Sequence, residues 1–365
     1  MFLSDRVMHM RPSGVRKIFD LANKVKNPIN LSIGEPDFDI PDPIKKEGIR
    51  WINAGFNKYT PSGGIPELRV KIFRYLKKKG IICDDVIVTA GVTGGLLLAL
   101  MVTLNPGDEV IIPDPYFVLY EYQVTLLGGK PVFMDTYPDF SLKEEALRGA
   151  ITDKTKIILI NSPNNPTGMV NSREELDMVV RVAKEKNLLV FSDDIYDKFI
   201  YESSTERTYL GQLYDRTITF GGFSKTWGMT GWRIGYVAGP KELIQCMITM
   251  QQYAFSSINS FAQKAALYAL DYNTDSLIKD YKRKRDLIYE GLKDKYHVVK
   301  PGGAYFIFPE VPGGNGDKFV EKALKHNLFI IPGSVFSRKK SNVRISFAAS
   351  EENLLKGIEI LRKLA

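Results

Sequence analysis

Short apolar segments alternate with longer amphipathic segments through the first two thirds of the chain. The apolar segments are typical of strands buried on both faces, and they cover residues 86–89, 109–112, 157–160, 188–191, 217–220 and 234–238. Between them, the helical spacing of apolar positions predicts helices over 93–104 and 173–186. Because strands that alternate with helices form parallel sheets, the pattern predicts an α/β domain with a mainly parallel sheet.

The pattern changes after residue 275. The elements predicted there are a long helix, two strand segments and a terminal helix, over residues 276–292, 305–308, 342–347 and 351–363. We therefore predict a large domain over residues 45–275 and a smaller α+β domain. The smaller domain is expected to combine residues 276–365 with residues 1–44, whose helix over 14–25 packs against it.

The composition is that of an ordinary globular protein. Of 365 residues, 44% are hydrophobic and 25% are charged, and no apolar run reaches the roughly 18 residues that span a membrane. The first ten residues lack the apolar core of a signal peptide. Two cysteines, Cys83 and Cys246, indicate neither a disulfide framework nor a zinc site. We expect a cytoplasmic protein with no metal centre and no membrane partner.

The net charge of +8 at pH 7 raises the question of a nucleic-acid partner. The basic residues are scattered, and the short basic runs at 77–79 and 282–285 are typical of solvated helix faces. Net charge alone bears on solubility and loose association. We therefore predict no nucleic-acid partner.

Lys225 lies in the segment with the most chemical content, residues 221–235, where glycine and small hydroxyl residues flank the amine. Arg233 follows closely and is a candidate anion ligand. A reactive amine beside an anion-binding arginine fits pyridoxal phosphate, an aldehyde that carries a phosphate. A nucleotide-binding P-loop is excluded because that motif needs glycine directly before the lysine, where this chain has Ser224.

Polar segments follow several predicted strands at the point where each strand ends. Residues 161–168 follow the strand that ends at Ile160, and residues 192–194 follow the strand that ends at Phe191. Lys225 comes shortly after a third strand. Since ligands of parallel sheets bind at the C-terminal ends of the strands, we expect one shared site there.

Six motifs together resemble the class I/II aminotransferases of pyridoxal-phosphate fold type I, in the branch that includes thermophilic aspartate and aromatic aminotransferases. Each motif is weak alone, but their order and spacing match the family from about Leu31 to Ala349. They lie at residues 32–38, 58–69, 165–168, 192–196, 224–235 and 343–347. The resemblance implies a seven-stranded, mainly parallel sheet with helices on both faces.

The resemblance implies roles around the cofactor ring. Lys225 matches the lysine that forms the Schiff base and later carries the proton, and Asp193 matches the carboxylate that pairs with the pyridine nitrogen. Asn165 and Tyr196 match the donors to the 3-hydroxyl oxygen of the ring. Phe117 matches the aromatic residue that stacks on it.

The resemblance also implies how the phosphate is held. Ser224, Arg233 and the backbone N–H groups of Val92 and Thr93 match the phosphate ligands, the last two at a helix N-terminus that attracts anions. Tyr59 matches a tyrosine that reaches the phosphate in the neighbouring subunit. A homodimer with shared active sites follows from this match.

Arg344 matches the arginine that binds the substrate α-carboxylate, and Gly34 and Asn165 match positions beside the substrate. A structural salt bridge is the alternative for Arg344. The side-chain specificity stays open. Cations for a second carboxylate, or an apolar pocket for an aromatic donor, have candidates in Arg338, Lys339 and Lys340 and in Ile33, Phe38 and Phe255.

The implied reaction moves an amino group from an L-amino acid, aspartate or aromatic, to a 2-oxo acid such as 2-oxoglutarate. The implied mechanism is ping-pong through pyridoxamine phosphate. A carbon–sulfur β-lyase, or another enzyme of this fold, is the alternative, because the surroundings choose among reactions that follow Cα deprotonation. A non-catalytic DNA-binding regulator is disfavoured, since the segment before Leu31 is too short for an added helix-turn-helix domain.

Overall fold

The computed structural model describes residues 2–4, 8, 10–201 and 207–365. Its strands are short and mostly buried. In chain order they are β1 (Ile29–Asn30), β2 (Asp85–Thr89), β3 (Glu109–Asp114), β4 (Lys130–Asp135), β5 (Thr155–Asn161), β6 (Leu189–Asp193), β7 (Thr217–Gly222), β8 (Gly235–Gly239), β9 (Phe306–Ile307), β10 (Leu328–Phe329), β11 (Ile331–Pro332) and β12 (Val343–Ser346).

A seven-stranded sheet forms the centre, in the order β2-β8-β7-β6-β5-β3-β4. All its neighbours pair in parallel except β8, which runs antiparallel to β2 and β7. The predicted fold class is thereby confirmed. The apolar pattern did not predict β4, because this edge strand is only partly buried and carries Pro131, a residue that edge strands tolerate.

The helices cover both faces of this sheet and surround the C-terminal strands. They are α1 (Gly14–Ala22), α2 (Asp42–Asn53), α3 (Pro66–Lys78), α4 (Gly91–Thr103), α5 (Leu119–Leu126), α6 (Glu144–Ala150), α7 (Arg173–Glu185), α8 (Leu210–Leu213), α9 (Lys241–Ala254), α10 (Ser260–Ala269), α11 (Asp275–Leu292), α12 (Gly316–Lys325) and α13 (Glu351–Leu364). Among the described residues, no helix is long and apolar enough to cross a membrane.

Local sequence signals explain individual helix ends. Ser172 starts α7 with a capping box, in which its hydroxyl accepts from the Glu175 N–H while the Glu175 carboxylate accepts from the Ser172 N–H. Helix α4 begins at Gly91, two residues before the predicted start at Thr93. The sequence pattern missed this start because glycine is a poor helix former. The first turn of α4 therefore contains Val92 as well as Thr93.

The strands of the central sheet are buried on both faces, as their continuous apolar runs predict. In β3, Val110 and Ile112 pack into one core with α4, α5 and α9. Ile111, between them, packs on the opposite face with α6 and α7. Because successive side chains of a strand point to opposite faces of the sheet, the packing of each strand also determines the face on which its last side chains lie.

The C-terminal strands form a smaller sheet, β11-β12-β9, and β10 pairs with β1 near the N-terminus. Ile18 and Ala22 of α1 belong to the same apolar core as the C-terminal elements, which agrees with the packing expected for the N-terminal helix. The domain boundaries near residues 44 and 275 stay a prediction.

Candidate active site

The C-terminal ends of β2, β5, β6 and β7 meet at one edge of the central sheet. A cavity of about 590 Å³ opens there, beneath α1 and beside β12. The cavity brings together all the predicted site residues but one: Gly34, Val92, Thr93, Phe117, Asn165, Asp193, Tyr196, Ser224, Lys225, Arg233 and Arg344.

Tyr59 is the predicted residue that does not line this cavity. Its side chain is 89% exposed, in the connection between α2 and α3. An aromatic side chain so open to solvent contributes little to packing within its own chain. The expectation that Tyr59 reaches a neighbouring subunit stays a prediction.

The Lys225 amine projects into the cavity from the segment after β7. Its Nζ donates a hydrogen bond of 2.7 Å to the carbonyl oxygen of Gly34. Burial lowers the pKa of Lys225 to about 8, and the nearby charges of Arg233 and Arg344 act in the same direction. An amine with this pKa is partly neutral near physiological pH, which a nucleophile or proton acceptor requires.

Asp193 lies at the end of β6 and is almost fully buried. Its Oδ2 accepts a 2.7 Å hydrogen bond from the Tyr120 hydroxyl, and its Oδ1 accepts from the Ile195 N–H at 3.1 Å. Burial raises the pKa of Asp193 to about 6, although both hydrogen bonds act to lower it. Within the described parts of the chain, no lysine or arginine forms an ion pair with Asp193, so the site is suited to a cation from a ligand.

Arg344 is the most deeply buried cation of the cavity, at 1% exposure. The rings of Phe306 and Phe336 lie 4.5 Å from its guanidinium carbon, and its Nη1 and Nη2 donate to Asn165 Oδ1 at 3.0 Å and to the Ser32 carbonyl at 2.7 Å. Its buried Nε has no hydrogen-bond partner.

No acidic side chain pairs with Arg344 among the residues that the structure describes, so the alternative of a structural salt bridge finds no support. Burial lowers the pKa of Arg344 to about 10, and the nearby hydroxyls of Tyr196 and Tyr305 act against this shift. A planar guanidinium with an unpaired donor in an apolar sandwich is suited to a carboxylate.

Arg233 faces the N-terminus of α4 across two glycines. Its backbone has a φ of 54°, in the left-handed region, and its Nη1 donates to the Thr230 carbonyl at 2.8 Å. A Cβ on Gly91 would lie 2.8 Å from Arg233 Nη2, and a Cβ on Gly235 would lie 2.8 Å from the Gly91 carbonyl carbon. Only glycine therefore allows the guanidinium, β8 and the helix N-terminus to approach so closely. The result is a concave arrangement of donors for an anion.

Two aromatic residues complete the predicted set. Tyr196 is buried, which raises the pKa of its hydroxyl, and its ring packs edge-on against Tyr305 and Phe306. Phe117 is partly exposed to the cavity and contacts the ring of Tyr120 edge-on, at 5.8 Å between centroids. One face of Phe117 thus stays available to a planar ligand.

The family of the chain is decided by its sequence. Residues 26–361 match the model described as aminotransferase class I and II. The chain belongs to this family. Members of the family depend on pyridoxal phosphate, and the structural relatives have fold type I, so the predicted family, cofactor and fold are confirmed.

Similar proteins match this aminotransferase over nearly its whole length. A probable aspartate aminotransferase from Methanocaldococcus jannaschii is 39% identical, over 99% of each chain. An aromatic-amino-acid aminotransferase from Thermococcus litoralis is 37% identical, over 100% of this chain and 98% of its own. The solved structure of aspartate aminotransferase from Thermus thermophilus with maleate matches with a TM-score of 0.95 at 35% identity, over 100% of both chains.

The candidate cations for a second substrate carboxylate lie outside the cavity of the aminotransferase. Arg338 pairs with Glu121 at 2.6 Å, and Lys339 pairs with Asp135 at 2.8 Å. Lys340 is also absent from the cavity wall. Instead, Arg11 and Arg16 of the N-terminal segment line the cavity, and no sequence motif had indicated them.

The apolar candidates for an aromatic substrate pocket also lie partly outside the cavity. Ile33 lines the cavity, whereas Phe38 and Phe255 do not. Val15 and Phe19 of α1 add apolar surface that the sequence did not indicate. The N-terminal segment therefore contributes both kinds of surface to the cavity.

Two residues that hold the site in place were also missed. Asn161 donates from Nδ2 to the Asp193 carbonyl at 2.9 Å, and its Oδ1 accepts from the Asn165 N–H at 2.9 Å. Its position directly after a buried strand was a usable signal. Tyr120 belongs to an apolar stretch of α5, and nothing local distinguishes a tyrosine that binds Asp193 from a core tyrosine.

The raised pKa of Asp193 gives a prediction for the cofactor-free protein. The folded state holds this proton more tightly than the unfolded chain, so the carboxyl contributes stability below about pH 4 that is lost as the pH rises through about 6. Asp193→Asn should therefore raise the free energy of unfolding by roughly 1–3 kcal/mol at pH 7.5 and by much less at pH 4.5.

Urea denaturation at the two pH values measures this difference. Asp215→Asn, at an exposed position, is the matched control and should change stability little at either pH. An equal effect of Asp193→Asn at both pH values would contradict the prediction.

Proposed function

We propose that this aminotransferase transfers the amino group of an L-amino acid, aspartate or aromatic, to 2-oxoglutarate. The proposed order is ping-pong, in which the oxo acid made from the donor leaves before the acceptor binds. The observation that carries the proposal is a single cavity that holds an amine of lowered pKa together with a buried carboxyl and a buried arginine, neither of which forms an ion pair among the residues that the structure describes.

These residues fit pyridoxal phosphate in charge and in hydrogen-bonding chemistry. Arg233, Ser224 and the backbone N–H groups of Val92 and Thr93 would hold the phosphate, in the concave space that a Cβ at Gly91 would fill. When bound, the cofactor supplies an aldehyde that takes up the donor amino group and a ring that withdraws electrons from Cα.

The remaining ring contacts follow from the same fit. Asp193 would pair with the pyridine nitrogen, and a carboxylate in that place favours the protonated ring. Asn165 and Tyr196 would donate to the 3-hydroxyl oxygen, and Phe117 would cover one face of the ring. Each of these side chains borders the cavity.

Lys225 is the proposed proton carrier of the reaction. Its pKa of about 8 leaves part of the amine neutral, so Nζ can take the Cα proton of the donor. In the second half of the reaction the same atom returns a proton to the Cα of the acceptor. A lysine on the surface, with its ordinary pKa, would be protonated and unable to act as a base.

Arg344 is the proposed ligand of the substrate α-carboxylate. Its unpaired Nε and its position between two phenylalanine rings favour a planar, bidentate partner over water. Binding there would orient the donor Cα and help to exclude water. Asn165, already bonded to Arg344 Nη1, would contact the same carboxylate.

The cavity supports two classes of donor. Arg11 offers charge to the second carboxylate of aspartate, as does Arg16, which also pairs with Asp20 at 3.1 Å. Val15, Phe19 and Ile33 offer apolar surface to an aromatic ring. The relatives described above include an aspartate and an aromatic-amino-acid aminotransferase. We therefore keep both donor classes in the proposal.

The proposed active unit is a homodimer in which Tyr59 completes the phosphate site of the neighbouring subunit. Tyr59 and Tyr253 are exposed to 89% and 83%. Arg233 is also exposed in the single chain. A partner that covered these residues would enclose the phosphate site.

The donor class is tested by steady-state assays with 2-oxoglutarate. We expect turnover with at least one of aspartate, phenylalanine and tyrosine. Lys225→Ala should abolish it, because no other lysine of the described residues lines the cavity. Lys198→Ala, at an exposed position, should retain it. Inactivity with all three donors, or normal turnover by Lys225→Ala, would refute the proposal.

Arg344→Ala should act mainly on substrate binding. Loss of a charged, bidentate contact should raise KM for donor and acceptor by about 10- to 100-fold. The matched control is Arg338→Ala. Because the Arg338 guanidinium already pairs with Glu121, this substitution should leave KM within about twofold of the wild-type value. An unchanged KM in Arg344→Ala would contradict the assigned role.

Shared active sites predict complementation between two impaired variants. Tyr59→Ala and Lys225→Ala should each be nearly inactive alone. When refolded together in equal amounts, half of the dimers are mixed and each has one intact site, so about a quarter of wild-type activity should return. If Tyr59 acted in its own subunit, mixing would restore nothing.

A further inference from the structure

The carbonyl oxygen of Gly34 accepts two hydrogen bonds inside the cavity wall. One comes from Lys225 Nζ at 2.7 Å, and the other comes from the Tyr305 hydroxyl at 3.0 Å. A carbonyl oxygen has two lone pairs, so these donors satisfy it completely. Tyr305 thus shares its acceptor with the amine proposed to carry the proton.

Tyr305 is held rigidly by its surroundings. The residue is fully buried, and its ring contacts those of Tyr196, Phe199 and Tyr281, with centroids 5.3, 5.4 and 5.7 Å away. Aromatic contacts on several sides leave the ring no space to turn away. The position of the hydroxyl is therefore fixed by the core.

The loop that carries Gly34 is attached to the same aromatic cluster at a second point. The Tyr281 hydroxyl donates to Asp37 Oδ1 at 2.6 Å, and Lys284 Nζ pairs with Asp37 Oδ2 at 2.5 Å. Both residues belong to α11. Two attachments three residues apart hold the Gly34 carbonyl in one orientation.

We propose that Tyr305 is a positioning residue, whose hydroxyl fixes the Gly34 carbonyl as the resting acceptor for the free Lys225 amine. The inference rests on the proposed function, in which that amine is released and must return to the substrate Cα. A neutral carbonyl accepts one N–H and leaves the lone pair of a neutral amine available for the proton.

The charged neighbours of Lys225 explain why a neutral acceptor is useful. Glu35 and Asp193 favour the protonated amine, whereas Arg233 and Arg344 oppose it. A flexible lysine chain free to approach either carboxylate would become an ammonium and lose its function as a base. Attachment to the Gly34 carbonyl holds the amine away from such an ion pair.

The test compares two variants that each lose one buried hydroxyl. Tyr305→Phe removes the bond to Gly34 and also the contact between the Tyr305 and Tyr196 hydroxyls. Tyr201→Phe is the matched control, because the buried Tyr201 hydroxyl donates to the carbonyl of Ala304 and has no bond to Gly34. Both variants keep the aromatic ring, so both should fold, and thermal melting checks this.

Two quantities are measured on the full-length enzyme. The first is kcat and KM with the donor that the wild-type enzyme uses best and with 2-oxoglutarate. The second is the pH dependence of acetylation of Lys225 by acetic anhydride, followed by mass spectrometry, in enzyme loaded with pyridoxamine 5′-phosphate, where the amine is free. The labelling midpoint reports the protonation of the amine independently of turnover.

Tyr305→Phe should lower kcat by about 5- to 10-fold, the effect of one hydrogen bond, with KM within about twofold. The labelling midpoint should move to higher pH, because a carbonyl that is no longer fixed lets the amine approach Glu35 or Asp193, which favour the ammonium. Tyr201→Phe should change neither quantity.

The inference is overturned if Tyr305→Phe behaves like Tyr201→Phe in an otherwise active enzyme. It is also overturned if kcat, KM and melting temperature change together while the labelling midpoint stays constant, since that is the result of general disruption. Failure of the proposed function has a different signature, which is a wild-type enzyme that transfers no amino group.

Discussion

The burial of ionisable groups that form no ion pair among the described residues is the constraint on which the site depends. Asp193, Lys225 and Arg344 each lie in the cavity wall. Burial shifts the pKa of each in the direction that favours the neutral form, to about 6 for Asp193, about 8 for Lys225 and about 10 for Arg344. Such groups cost stability in the free protein. A ligand that supplies a cation for the carboxyl and an anion for the guanidinium recovers that cost on binding, and pyridoxal phosphate together with an amino acid would supply both.

The fold makes this arrangement possible by placing strand ends side by side. β5, β6 and β7 run in parallel, so Asn161, Asp193 and the segment with Lys225 leave the sheet at the same edge. β8 runs the other way and brings Arg233 to that edge at its start. The apolar cores on both faces of the sheet stabilise the strands, which leaves the residues at the strand ends free to serve the site.

The sequence predicted elements and residues that carry a local signal. Continuous apolar runs indicated the central strands, and the flanks of Lys225 and its resemblance to a known motif indicated the amine. The edge strand β4 and the roles of Tyr120 and Tyr305 were missed, because a partly buried strand and a tyrosine in an apolar stretch have no distinctive pattern. Arg338 was a plausible substrate ligand by charge alone, and only the fold shows that Glu121 neutralises it. Contacts between residues distant in sequence determine these cases.

Transfer of the amino group and its elimination give different products. The most direct measurement incubates the cofactor-loaded enzyme with a single amino acid and no oxo acid, and quantifies the 2-oxo acid and ammonia formed. We expect 2-oxo acid up to one equivalent per active site, without ammonia. Continued release of ammonia together with an oxo acid, as a carbon–sulfur lyase would give from its substrate, would contradict it.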